Sequence, residues 1–137
     1  MSASELEHLA SEAIECGLAI HRKYGSGLLE SAYESLLLFA LQKRGFQVDR
    51  QVSIDLTHEG GLIRDAFRID LLVEKQLIIE VKSVERFNAV HAKQLLTYLR
   101  IADLKLGLLM NFGCETFGEG LKRVSNNYFG KWQNQST

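Results

Sequence analysis

Three charged residues inside an otherwise apolar stretch are the strongest chemical signal in this sequence. Asp70, Glu80 and Lys82 lie in two apolar runs that are separated by a short polar break at residues 74–76. This pattern predicts a β-hairpin whose charged side chains stand among buried ones. Burying a carboxylate is costly unless a metal ion or an opposite charge compensates it, so the hairpin is a candidate functional site.

The register of the hairpin decides whether these charges meet. If the turn centres on Lys75, Asp70 faces Glu80, and Lys82 shares the face of Glu80 because it lies two residues further along the strand. Two carboxylates that close repel each other unless a cation lies between them, and oxygen ligands suit Mg²⁺ or Mn²⁺. A shift by one residue would separate the charges. The alternative is an ion pair of Lys82 with either carboxylate and no metal.

Length and composition predict one globular domain. The chain has 137 residues, of which 46% are hydrophobic, and it contains no apolar run near the ~20 residues of a membrane span. The first ten residues carry Glu5 and Glu7 without an apolar core, which is not the pattern of a secretory signal. Cys16 and Cys114 form no CxxC motif, and we expect them to be reduced core thiols of a cytoplasmic protein.

The charge balance limits how this protein could bind a polyanion. Its 16 basic and 17 acidic residues give a net charge of −1, which argues against a protein that coats nucleic acid through bulk electrostatics. An enzyme with a local basic groove stays possible. The candidate groove residues are Arg22, Lys23, Lys43, Arg44, Arg86, Lys93, Lys122 and Arg123, although a solvated surface charge is the more common role for each.

Apolar periodicity predicts three helices and four strands in the order α-α-β-β-β-α-β, with a further strand at residues 121–124 left open. These elements predict a single domain over residues 1–125, followed by a polar C-terminal tail at residues 126–137. The predicted helices span residues 4–22, 28–44 and 89–102, and the predicted strands span residues 46–56, 63–73, 77–84 and 104–110.

Local signals predict how the helices begin and end. Ser4 and Glu7 have the spacing of a capping box for the first helix. Gly45 is expected to end the second helix, and Asn88 is expected to cap the third.

A hairpin that carries Asp and then Glu-x-Lys, followed by a helix and a strand, resembles the PD-(D/E)xK nuclease superfamily. Residues 27–33 are similar to the signature of its GxxExxY branch, and residues 91–99 and 106–113 resemble that branch's later blocks. The resemblance covers about residues 5–125 and implies a restriction-endonuclease-like α/β fold, with a central mixed β-sheet flanked by helices. Ser26 and Ala89 stand where the family has proline, which affects backbone rigidity rather than ligands.

The resemblance also implies roles for the charged residues. Asp70 and Glu80 would bind a divalent metal together with the backbone carbonyl of Val81. Lys82 would position the attacking water or stabilise charge that builds on the phosphate. Glu30 would be an outer carboxylate that reaches the metal directly or through water; alternatively, it is an N-terminal acid favoured by the helix dipole.

Polar residues on the third helix complete the predicted site. Gln94 and Tyr98 lie four residues apart, and His91 lies three residues before Gln94, so all three share one edge of the helix. The resemblance implies that Gln94 serves the catalytic site and that Tyr98 and His91 bind substrate, whereas a plain polar helix edge is the alternative. Tyr33 is a weaker substrate-binding candidate, since core packing with a hydroxyl hydrogen bond near the site suits it better.

These signals predict an Mg²⁺- or Mn²⁺-dependent nuclease that hydrolyses phosphodiester bonds of nucleic acid, with DNA favoured over RNA and no membrane partner. The small domain leaves little surface to grip a duplex, and a homodimer is one way to supply more. One alternative is a non-catalytic module that retains the fold to bind nucleic acid or a protein. Another is a phosphodiesterase that acts on a small nucleotide.

Overall fold

The computed structural model describes residues 1–86 and 88–127, which form four helices and five strands. The tail predicted at residues 126–137 lies outside the described residues except for its first two positions. In chain order the elements are α1 (Ala3–Tyr24), α2 (Glu30–Lys43), β1 (Val48–His58), β2 (Gly61–Val73), β3 (Leu77–Lys82), α3 (Ala89–Ala102), β4 (Leu106–Asn111), α4 (Phe117–Gly120) and β5 (Leu121–Ser125).

The five strands form one mixed sheet in the order β1-β2-β3-β4-β5. Only β3 and β4 pair in parallel among the described strands, and α3 is the crossover that connects them. Helices cover both faces of the sheet, so the predicted α/β class with a mixed sheet flanked by helices is confirmed. The α1/α2 core, on one face, includes Leu9, Tyr33, Leu37, Leu71, Val73, Val81 and Phe112, and the α3 core, on the other, includes Ile69, Ile78, Leu95, Leu99 and Leu109.

Most helix ends follow the predicted signals, but the first cap does not. Ser2 and Glu5 form the capping box of α1 through reciprocal hydrogen bonds of 3.1 Å, so the prediction of Ser4 with Glu7 is wrong. Both pairs have the same spacing; Glu7 instead accepts a hydrogen bond from Arg123 on β5. The other two predictions are confirmed, since a glycine with a φ of 91° follows α2 and Asn88 caps α3.

The predicted hairpin register is confirmed. Residues 71–73 of β2 pair with residues 77–79 of β3, in reverse order. Glu74 and Lys75 both have left-handed backbones, with φ of 52° and 53°, which is the geometry of a tight hairpin turn. Asp70 and Glu80 therefore come next to each other directly beyond the last pair of the ladder.

The chain after β3 is fixed by a buried amide on β4. The Oδ1 atom of Asn111 accepts the backbone N–H groups of Val84 and Gly113, both at 3.0 Å, and its Nδ2 donates to the carbonyl of Val84 at 2.9 Å. A Cβ atom on Gly113 would lie 2.3 Å from the same carbonyl oxygen, so only glycine fits there. These contacts hold the segment that follows Lys82 against the end of β4.

The described helices and the two cysteines can also be compared with what the composition predicts. None of the described helices combines the length and the apolar character that a membrane span requires. Cys16 and Cys114 are both buried and unpaired, as the spacing of the two residues predicts.

Candidate active site

Asp70 and Glu80 are held together by the backbone of their strands. The N–H of Val81 donates to Oδ2 of Asp70 at 2.8 Å, and the N–H of Asp70 donates to Oε2 of Glu80 at 3.0 Å. Glu80 is buried, with only 7% of its surface exposed. Each of these bonds engages one oxygen of its carboxylate, so acceptor capacity remains on the second oxygen for a cation.

Among the described residues, the two carboxyl groups form no ion pair with a cation. Burial, together with the negative charge of Asp70, raises the pKa of Glu80 to about 9. Lys82 is partly exposed and lowers that pKa, yet within the described part of the chain it forms no ion pair with a carboxylate. The metal-free pair therefore keeps a proton at neutral pH.

Tyr98 on α3 is within electrostatic range of the same carboxylates. Burial and the negative charges of Glu80 and Asp70 raise the pKa of its phenol. Its ring stacks on Phe67 of β2, with ring centroids 4.1 Å apart and planes 7° apart. The stack thus fixes the ring of Tyr98 against β2, and the raised pKa favours its protonated phenol.

The other two site candidates on α3, Gln94 and His91, differ in exposure. Gln94 is exposed, and His91 is partly buried. Among the described residues, Nδ1 of His91 is a buried atom without a hydrogen-bond partner, and neither side chain contacts Asp70 or Glu80 through a hydrogen bond. The structure therefore places both residues on the helix of Tyr98 but joins neither to the carboxylates.

The two candidates on α2 lie in different surroundings. Glu30 is exposed at the first residue of the helix. Tyr33 is fully buried and stacks on Phe112, with ring centroids 4.4 Å apart. The hydroxyl of Tyr33 donates to the carbonyl of Gly25 at 2.5 Å and accepts the N–H of Leu28 at 3.1 Å. Tyr33 therefore anchors the loop between α1 and α2 from within the core.

Three residues that the sequence analysis did not select form a network beside Asp70. Oε2 of Glu34 accepts a hydrogen bond from Nε of Arg50 at 2.7 Å, and Oε1 accepts one from Nε2 of Gln51 at 2.7 Å. The same nitrogen of Gln51 lies 3.4 Å from Oδ1 of Asp70. The network thus links α2 to the carboxylate pair through β1.

One of these three residues carried a usable sequence signal. Glu34 lies three residues before Leu37 and seven before Leu41, both fully buried, so it occupies a core position of α2. A carboxylate at such a position needs partners, and Arg50 and Gln51 supply them. The spacing alone, however, does not indicate which residues those partners are.

The donor set suits a hard divalent cation. No group of three His, Cys, Asp or Glu residues in the described chain is placed to hold a metal ion, so the anionic ligands offered at this position are the two carboxylates of Asp70 and Glu80. Mg²⁺ commonly keeps several waters and binds through one or two carboxylates, whereas protein zinc sites use three or four protein ligands. Asp70 and Glu80 therefore fit Mg²⁺ or Mn²⁺ better than Zn²⁺.

The five-stranded mixed sheet with helices on both faces, and with acidic residues on adjacent strands followed by a lysine, defines a restriction-endonuclease-like domain. The chain belongs to the PD-(D/E)XK nuclease superfamily, whose family model matches residues 7–124. Members of this superfamily generally use divalent metal ions, and membership implies a nucleic-acid substrate. Searches of curated proteins and of solved structures found no match.

Proposed function

We propose that this protein is an Mg²⁺- or Mn²⁺-dependent nuclease that hydrolyses phosphodiester bonds of nucleic acid, with DNA as the expected substrate. The observation that carries the proposal is the pairing of the buried Glu80 with the partly buried Asp70, which form no ion pair with a cation within the described residues; Lys82 lies two residues after Glu80. A divalent cation would compensate the two charges and displace the proton that the metal-free pair retains.

The proposed roles follow from the types and positions of the residues. Asp70 and Glu80 would hold the cation, with the carbonyl of Val81 as a further ligand. When bound, a divalent ion polarises a phosphate oxygen and lowers the pKa of its bound water. Lys82, on the same strand as Glu80, would position the attacking water or stabilise the negative charge that builds on the phosphate. Glu30 would be an outer carboxylate at the start of α2.

Residues of α3 would contact the substrate. Tyr98 carries its phenolic proton at neutral pH, the more firmly because its pKa is raised, so it can donate a hydrogen bond to a phosphate oxygen. Gln94 and His91 lie on the same helix and would support the site from its outer edge. Tyr33 would act indirectly, by holding the loop that precedes Glu30.

We also propose that the chain belongs to the GxxExxY branch of the superfamily and that the protein is cytoplasmic. Gly27, Glu30 and Tyr33 have the spacing of the GxxExxY branch, and the nuclease domain would comprise residues 1–125 with a polar tail at residues 126–137. The two unpaired, buried cysteines are consistent with a cytoplasmic protein. A homodimer would enlarge the surface available to a nucleic acid.

The proposal is tested by incubating the protein with labelled single- and double-stranded DNA and RNA in Mg²⁺, in Mn²⁺ and in EDTA. We expect cleavage of DNA that requires the metal and is lost in Asp70→Asn, because the amide removes one of two anionic ligands. The Asp49→Asn variant is the matched control, since Asp49 pairs with Lys75 at 3.1 Å in the same hairpin region. Cleavage that survives in Asp70→Asn would contradict the site assignment.

A non-catalytic module that binds nucleic acid or protein is the second candidate. Among the candidate groove cations, Arg44 pairs with Glu12 and Glu15, and Arg123 pairs with Glu7. This reduces the positive surface that is available to grip a duplex. Absence of cleavage by folded protein under every condition of the assay, combined with retained binding of a labelled nucleic acid, would favour this candidate.

A further inference from the structure

Gln51 has a backbone conformation that is unusual for a residue inside a strand. Its φ is 52°, in the left-handed region that non-glycine residues rarely adopt. Such a conformation persists only when surrounding contacts hold it, and it is found most often at functional sites. The residues that Gln51 contacts therefore indicate which function its backbone conformation serves.

The left-handed backbone changes the direction of the side chains along β1. In a regular strand, neighbouring side chains point to opposite faces. Here Arg50 and Gln51 follow one another, yet both donate to the carboxylate of Glu34. Val48 packs on the α1/α2 core and Val52 on the α3 core, although four residues of regular strand would place them on the same face.

The side chains of β2, which pairs with β1, also change from one face of the sheet to the other beside Gln51. Ile69 belongs to the α3 core and Leu71 to the α1/α2 core, with Asp70 between them. The pairs Arg50↔Leu71 and Val52↔Ile69 flank Gln51 and Asp70. The irregular point of β1 therefore lies directly beside the aspartate of the candidate site.

The side chain of Gln51 joins two carboxylates. Its Nε2 lies 2.7 Å from Oε1 of Glu34 and 3.4 Å from Oδ1 of Asp70, and one amide nitrogen carries two N–H donors. Glu34 is itself 7% exposed and is fixed by Arg50. An amide makes this connection without adding a third negative charge beside Asp70 and Glu80, as a glutamate at position 51 would.

We propose that Gln51 is a positioning residue for the cation site, which ties the carboxylate of Asp70 to the buried Glu34 on α2. This inference rests on the proposed binding of a divalent cation by Asp70 and Glu80. Residues that orient metal ligands through hydrogen bonds typically change metal affinity by 10–100-fold when they are replaced. Gln51 does not contact the substrate in this role, so its effect is on cation affinity.

The test is isothermal titration calorimetry with Mn²⁺ on the wild type, Gln51→Gly and Glu59→Gly. Glycine at position 51 accepts the left-handed backbone but removes the amide, so we expect the Kd for Mn²⁺ to rise about tenfold or more. Glu59 also has a left-handed backbone, with a φ of 48°, but lies in the exposed turn between β1 and β2. We expect Glu59→Gly to bind Mn²⁺ with a Kd within about twofold of wild type, since it changes no group near the carboxylates.

A second variant covers the case in which Gln51→Gly fails to fold, as judged by circular dichroism. Asparagine tolerates the left-handed region, but its side chain is one methylene shorter, so Gln51→Asn is also expected to raise the Kd. Unchanged affinity in a folded position-51 variant would overturn the role of Gln51 while leaving the cation site intact. An equal loss in Glu59→Gly would also overturn it. A wild type that binds no Mn²⁺ would overturn the cation site and the role of Gln51 together.

Discussion

Replacing Lys82 with alanine is expected to lower the rate of metal-dependent cleavage by about a thousandfold while leaving Mn²⁺ affinity nearly unchanged. Lys82 follows Glu80 by two residues on β3, and in the proposed mechanism it supplies positive charge to the reacting phosphate without being a metal ligand. Single-turnover cleavage at saturating Mg²⁺ measures the first effect, and calorimetry with Mn²⁺ measures the second.

The control for this variant lies in the same hairpin. Lys75 is exposed in the turn and pairs with Asp49, so Lys75→Ala removes an equal charge at a distance from the site and should leave the rate unchanged. A Lys82→Ala variant that keeps most of the wild-type rate would contradict the catalytic role. Loss of both cleavage and Mn²⁺ binding would instead mean that Lys82 maintains the structure of the site.

Replacing Glu80 with glutamine is expected to stabilise the metal-free protein at alkaline pH and to abolish its stabilisation by Mg²⁺. In the folded state burial and Asp70 raise the pKa of Glu80 to about 9, against an ordinary value of 4.5. The folded state therefore holds more protons than the unfolded state between these values, and the free energy of unfolding falls as pH rises through that window. This contribution to the free energy of unfolding is fully present below pH 4.5 and is lost as the pH rises past about 9.

Glutamine resembles the protonated acid, since it is uncharged and its amide can donate to Asp70. The variant should therefore be more stable than wild type by on the order of 5 kcal/mol at pH 8 without metal, with little difference near pH 4. Urea unfolding in EDTA from pH 4 to pH 9 measures this difference. Excess Mg²⁺ should stabilise the wild type only, because the variant lacks one carboxylate ligand.

Glu59→Gln is the control for the pH series, because Glu59 is exposed in the turn between β1 and β2. Its unfolding free energy should follow the wild type at every pH. Parallel pH profiles for Glu80→Gln and wild type would contradict the raised pKa of Glu80. A Glu80→Gln variant that Mg²⁺ still stabilises would contradict its role as a ligand.

The central geometry of the site could be predicted because it depends on local chemistry. A short polar turn between two apolar runs fixes the register of a hairpin, and the register fixes which residues share a face. The sequence therefore predicts Asp70 and Glu80 as neighbours, and the hydrogen bond from the backbone N–H of Asp70 to Glu80 agrees with that prediction. Helical spacing likewise places Tyr98 on one edge of α3, a helix that packs on β4 and β5, and its role at the site stays a prediction.

Other features could not be predicted because they depend on contacts between distant parts of the chain. Ser4 and Glu7 match the spacing of a capping box as well as Ser2 and Glu5 do, and the ion pair of Glu7 with Arg123 joins residues 116 positions apart. Residues 121–124 become part of β5 through pairing with β4, which a short local pattern does not establish.

The network around Asp70 was missed for a different reason. The left-handed φ of Gln51 is a property of the folded backbone, and β-strand periodicity predicts that Arg50 and Gln51 point apart. The core position of Glu34 on α2 indicates a buried carboxylate, but Glu30 matches the family signature and was therefore predicted as the outer carboxylate of the site. A buried acid on an apolar helix face therefore indicates a polar network even where a motif contains another acid nearby.

The most direct test of the cation site is calorimetric titration of wild type and Asp70→Asn with Mn²⁺ at pH 7.5, repeated in two buffers with different ionisation enthalpies. We predict about one Mn²⁺ per wild-type chain and release of about one proton per ion, because the metal-free carboxylate pair retains a proton at this pH. Asp70→Asn should show neither binding nor proton release. A folded wild type without Mn²⁺ binding, or binding that persists unchanged in Asp70→Asn, would contradict the assignment of Asp70 and Glu80 as a divalent-cation site.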